Sequence, residues 1–81
     1  MKPAQALQLV RRHAREHGFA VVEPPGRGKG SHRLYVLADA SGAQVARFGL
    51  TDHPRELSWA VLRGLEDGLA PYFGDKWMEK R

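Results

Sequence analysis

Cysteine is absent from the 81-residue chain. That excludes a disulfide framework and any thiolate-bound metal, and it fits a protein kept in a reducing cytoplasm. Long apolar runs are missing too, so no stretch could span a bilayer, and the start lacks the apolar segment of a signal peptide. Acidic side chains are in the minority, nine against thirteen Lys and Arg, for a net charge of +4 and a pI near 10.0. A basic balance favours a polyanionic partner, RNA or DNA, over a membrane. Eighty-one residues leave room for one domain, residues 1–81, with residues 71–81 as an aromatic C-terminal tail. Domains of this size bury only about 60% of their unfolded surface, so each core side chain counts.

The hydrophobic pattern predicts the order helix, strand, strand, strand, helix. From Pro3 to His17, Ala4, Ala6, Leu7, Val10 and Ala14 fall on one helical stripe, with Gln8, Arg11, Arg12 and Arg15 opposite. Pro3 suits a first turn and Gly18 a left-handed terminator. Phe19–Glu23 reads as a short strand stopped by Pro24-Pro25-Gly26, and Ser31–Ala38 as the next. The turn residues Asp39-Ala40-Ser41-Gly42 return the chain into a third strand, Gln44–Leu50, making a hairpin. Its Ala46, Phe48 and Leu50 share a face. The second strand is apolar on both faces, so alternation does not orient His32.

A second helix starts at Pro54, capped from Asp52 or His53, or at the N-cap Ser58. Val61, Leu62, Leu65 and Leu69 form its apolar stripe, Gly64 and Gly68 permit close backbone approach beside it, and Pro71 ends it. Phe73 and Trp77, four apart, predict one more docked helical turn. The sum is a two-layer α+β fold, α-β-β-β-α, with a three-stranded antiparallel sheet and both helices on one face.

The chemistry concentrates in Gly26-Arg27-Gly28-Lys29-Gly30-Ser31-His32-Arg33. Glycines at alternate positions let backbone N–H groups approach a ligand closely. Arg27, Lys29 and Arg33 bring positive charge, and His32 stands where the loop becomes strand. Two phosphate-loop templates fail. Gly30 separates Lys29 from Ser31, against the Gly-Lys-Ser/Thr order, and a strand rather than a helix follows the glycines. No Asp or Glu lies in the loop to hold a magnesium-bound phosphate. His13-Ala14-Arg15-Glu16-His17 matches a zinc-peptidase string, but it has no third ligand and an Arg-rich setting, so no metal is assigned. Metal-free RNA cleavage needs a base for the 2′-hydroxyl proton, which a histidine titrating near neutrality supplies. It also needs charge or N–H groups for the phosphorane.

Lys29-Gly30-Ser31-His32-Arg33-Leu34-Tyr35 resembles the glycine-serine-histidine-x-x-aromatic signature of HicA-type toxins, mRNA interferases of toxin–antitoxin systems. Gly18-Phe19 is similar to that family's glycine-aromatic pair after the first helix. His53-Pro54-Arg55-Glu56-Leu57 with Val61-Leu62-Arg63 resembles its block around the second helix. The likeness covers about residues 4–70. The loop before the signature is longer and richer in Gly and Pro than the family's, and the tail 72–81 has no counterpart. The resemblance implies a double-stranded-RNA-binding-domain-like fold, His32 as the catalytic residue, no cofactor, mRNA as substrate and a HicB-type antitoxin as partner. Lys29, Arg33, Arg27, Gly28, Gly30, Ser31 and Arg47 are the candidate RNA-phosphate contacts, in a cytoplasmic monomer or small homo-oligomer. Two alternatives stay open: a non-catalytic RNA-binding module of the same fold, and a protein-interaction domain whose tail is the working surface.

Overall fold

A computed structural model describes residues 1–24, 32–51 and 55–79. The elements are α1 (Pro3–Glu16), β1 (Ala20–Val22), β2 (His32–Ala38), β3 (Gln44–Thr51), α2 (Trp59–Phe73) and a 3-10 turn, Trp77–Glu79. The strands form one antiparallel sheet in the order β1-β2-β3. This is the α-β-β-β-α arrangement expected from the pattern.

Helix α1 buries Pro3, Ala6, Leu9, Val10, His13 and Ala14. Leu7 is only half-buried and Ala4 is exposed, so the stripe lies one position round from the expected one. Its end is a Schellman closure. Gly18 adopts φ +80°, the Phe19 N–H donates to the Ala14 carbonyl at 2.8 Å, and the Gly18 N–H to that of Arg15 at 3.4 Å. This turn feeds Phe19 to the core rim and starts β1 at Ala20.

The β2–β3 hairpin is organised by Asp39. Its carboxylate Oδ1 accepts from the Ser41 N–H, the Ser41 hydroxyl and the Ala43 N–H at 2.6–3.0 Å, and Gly42 takes φ +86° to complete the turn. Beyond it the register slips by one residue. Ala38 faces Gln44 but Leu37 faces Ala46, leaving Val45 as a bulge. The Tyr72 hydroxyl donates to the Val45 carbonyl at 2.7 Å and ties the bulge to α2.

Tyr35 and Leu37 of β2 meet Phe48 and Leu50 of β3 on the helix side of the sheet, with the Tyr35 and Phe48 rings stacked 5.4 Å apart. Leu65, Leu69 and Phe73 of α2 close the core with α1. Ser58 is the N-cap of α2, its hydroxyl accepting from the Val61 N–H at 3.2 Å. The alternative start near Pro54 lies outside the described residues.

Three expectations are corrected here. Pro71 does not end α2; it sits inside the last turn, and the helix closes at Gly74, whose N–H reaches the Ala70 carbonyl at 2.8 Å. The missing N–H leaves only the Asp67 carbonyl without its i+4 donor, one hydrogen bond lost a turn from the helix end. Gly64 and Gly68 allow no close approach, because a Cβ at either would meet nothing within 4 Å. Val61 is 47% exposed rather than part of the buried stripe.

The tail docks as expected, though as a 3-10 turn. Trp77 is fully buried, edge-on to Phe73 with ring centres 5.1 Å apart, and Met78 is buried beside it. Its aromatic side chains are core, which removes them as a working surface for partners.

Candidate active site

His32 is the first residue of β2 and is exposed. Its strand partner is Thr51, the last residue of β3. Alternation along β2 puts His32, Leu34 and Val36 on the face opposite Tyr35 and Leu37. At this end of the sheet a depression of about 420 Å³ is lined by His32, Gly49, Thr51, Glu56, Ser58 and Val61, among others. The imidazole therefore stands on a strand, while its surroundings come from the end of β3 and the entry to α2.

The depression is polar on one side. The Thr51 hydroxyl oxygen is buried and has no hydrogen-bond partner among the described residues. The Ser58 hydroxyl is occupied as the helix cap. Glu56 accepts from the amino group of Met1, whose carbonyl in turn accepts from the Leu57 N–H at 2.9 Å. That hydrogen bond, with the charge of the same amino group, holds the Glu56 carboxyl below the usual carboxylate range. Near neutral pH Glu56 is thus an acceptor and not a proton donor. Leu57 and Val61 give the depression an apolar side.

Arg33 adjoins His32 in sequence but points the other way along the pleat. Its guanidinium pairs with Glu23 at 3.0 Å, both side chains being partly exposed. Arg47 faces Val36 and shares the open sheet face with His32. It lies four residues down the ladder, roughly 13 Å away at the rise of a strand, so these two are not neighbours. Arg27, Gly28, Lys29, Gly30 and Ser31 lie outside the described residues.

No protein-family model, curated protein or solved structure matches this chain.

The zinc-peptidase-like string is part of the core edge. His13 is buried against Phe73 and Trp77, with ring centres at 5.8 and 5.2 Å, and a ring nitrogen of His17 lies 2.8 Å from the His13 carbonyl. Glu16 of the same string lies 4.0 Å from Arg12. Thr51, Glu56, Ser58 and Val61 carried no local motif that marks them as neighbours of His32. Only the hairpin register brings Thr51 there. No described helix is long and apolar enough to cross a membrane.

Proposed function

We propose that the protein is a metal-independent endoribonuclease of the HicA type, an mRNA interferase neutralised by a HicB-type antitoxin in the cytoplasm. The observation that carries this reading is the placement of His32. It is an exposed imidazole on a strand end, directly after a cationic glycine-rich segment and within a recess large enough for part of a nucleotide.

In the proposed reaction the RNA 2′-oxygen attacks the adjacent phosphorus while its proton passes to the His32 imidazole. The P–O5′ bond breaks, the leaving 5′-oxygen takes a proton from solvent, and the imidazolium returns its own proton to solvent. The products are a 2′,3′-cyclic phosphate and a 5′-hydroxyl. Lys29 and Arg27 would counter the charge growing on the phosphorane, helped by N–H groups around Gly28, Gly30 and Ser31, while Arg33, on the other side of the pleat, would meet a neighbouring phosphate of the same strand.

The test is cleavage of a single-stranded RNA oligonucleotide by the purified protein in excess chelator. His32→Ala should slow cleavage by about 10²–10⁴-fold while leaving circular dichroism and RNA binding intact. A folded variant that cleaves at the parental rate overturns the mechanism. Tight binding by a parent protein that never cleaves selects instead the non-catalytic RNA-binding module.

A further inference from the structure

A second recess, of about 920 Å³, runs along the outer side of α2. Trp59 stands at one end, Leu62, Ala70 and Met78 supply apolar lining, and the turn after Gly74 forms the far wall. Trp59 is 72% exposed, the most exposed large apolar side chain among the described residues. The Arg63 guanidinium lies over its ring, 5.3 Å from the centre, and Arg63 is drawn along the helix by Asp67 at 3.8 Å. An exposed indole backed by an arginine beside an apolar floor has the composition of an interface anchor.

The charge of this recess runs against that of the chain. Glu66, Asp67, Asp75 and Glu79 line it against Arg63, Lys76 and Met1, whose amino group is paired with Glu56, in a protein whose net charge is +4. Asp67 has Arg63, and the Glu66 carboxylate accepts from the Met78 N–H at 3.1 Å. Asp75 and Glu79 have no ion pair among the described residues. A denser group of cations, Arg11, Arg12 and Arg15, lies on the exposed side of α1, and Lys80 and Arg81, which follow Glu79 in sequence, lie outside the described residues. The described lining thus has an excess of carboxylates, which suits a cationic polypeptide better than a polyanion such as RNA.

We infer that the α2 groove is a docking site for a basic amphipathic helix of a partner protein. From Trp59 to Ala70 is eleven residues, roughly 16 Å at the rise of a helix, which matches about three turns of a guest helix. Apolar anchors at i, i+3 or i+4 and i+7 would lie on Trp59, Leu62 and Met78, with flanking Lys or Arg facing Asp75 and Glu79. A second copy of this chain fits less well. Its own basic helix face offers Gln8, Arg11, Arg12 and Arg15, with no apolar anchor for the floor. The inference is independent of the ribonuclease reading.

The probe is a synthetic fourteen-residue helix, roughly four turns, with Leu at the anchor positions and Lys elsewhere, titrated into the full chain. Trp77 is fully buried, so a blue shift of tryptophan emission reports on Trp59. Saturable binding with a blue shift is expected. Asp75→Asn with Glu79→Gln should weaken it roughly five- to tenfold. By calorimetry Trp59→Ala should weaken it further with an unchanged melting temperature. Three results overturn the inference: no saturable binding at millimolar peptide, equal binding of the same peptide with Glu in place of Lys, or unchanged affinity in the Asp75/Glu79 variant. Sedimentation showing self-association that Trp59→Ala abolishes would overturn it in favour of a second copy.

Discussion

The Trp77 indole N–H donates to the backbone carbonyl of Glu66 at 2.8 Å, eleven residues upstream on α2. The Glu66 carboxylate meanwhile accepts from the Met78 N–H at 3.1 Å. One residue of α2 thus receives both the side chain and the backbone of the C-terminal turn. The buried Trp77 ring then lies among Phe73 and His13, so the turn completes the core between the two helices.

Truncating that ring should nearly unfold the domain. A buried Trp→Ala change costs about 3–5 kcal/mol, against about 5–15 kcal/mol of total stability for a typical domain. Trp77→Ala should therefore lower the melting temperature by at least about 12 °C, at about 4–8 °C per kcal/mol for this size. Trp59→Ala, on an exposed ring, should move stability by no more than about 0.5 kcal/mol. Urea denaturation of both variants checks the contrast, and equal losses would show that Trp77 is not part of the core.

Glycine-to-alanine changes should divide by backbone geometry. Gly64 and Gly68 lie inside α2, and a Cβ at either meets nothing within 4 Å. Alanine there should stabilise the protein by about 0.5–1 kcal/mol each through better helix propensity. Gly18 holds φ +80° in the closure of α1, where alanine should destabilise by about 1–2 kcal/mol. Shifts of the same sign at all three positions in urea midpoint would contradict this.

The hairpin carries a pH signature. Hydrogen bonds from the Ser41 hydroxyl, first, and then from the Ala43 amide hold the Asp39 carboxyl below its ordinary range. A depressed folded value means that the contribution is fully present above the unfolded value. It is lost as pH falls through the folded one. Asp39→Asn should therefore be less stable than the parent at pH 7, with the gap closing below about pH 4, where free carboxyls take up protons. A gap that stays constant between pH 7 and pH 2 would assign the loss to something other than this charge.

Much of the fold was legible because local signals agreed with the tertiary outcome. Gly18 after a helical stripe, Asp39-Ala40-Ser41-Gly42 between apolar runs and Ser58 before another stripe each mark a boundary found in the structure. The surroundings of His32 were not legible, and Val45 is the reason. Counting back from the Ala38–Gln44 pair without a bulge puts His32 opposite Leu50. The extra residue moves it opposite Thr51, onto the other face of β3. A bulge leaves no mark in a sequence whose neighbouring residues are all compatible with a strand. Pro71 misled for a related reason. It obeys the rule against proline in helix interiors only loosely, because it sits in the last turn. Trp77 and Phe73 announced a docked turn by their spacing, but not that Glu66 would receive it.

The final prediction concerns the cation beside His32. Arg33 is proposed to meet RNA phosphate, yet its guanidinium lies 3.0 Å from the Glu23 carboxylate. Both side chains are partly exposed, 47% and 37%, so the pair contributes only about 0–1 kcal/mol. That is weak enough for a phosphate to displace the carboxylate, and strong enough to tax binding. Removing the competing charge in Glu23→Gln should therefore raise RNA affinity, by no more than about fivefold, with no new contact formed. If Arg33 neutralises a phosphate, Arg33→Ala should lower affinity. It should also reduce the slope of log affinity against log salt by about 0.7, the value per contact for single strands. The double variant should behave like Arg33→Ala alone, because Glu23 acts only through Arg33. Filter-binding titrations of the four proteins across a salt series decide the matter. If Glu23→Gln raises affinity equally with and without Arg33, the carboxylate repels RNA directly, and if Arg33→Ala leaves affinity and salt slope unchanged, Arg33 is a structural partner of Glu23 rather than a phosphate contact.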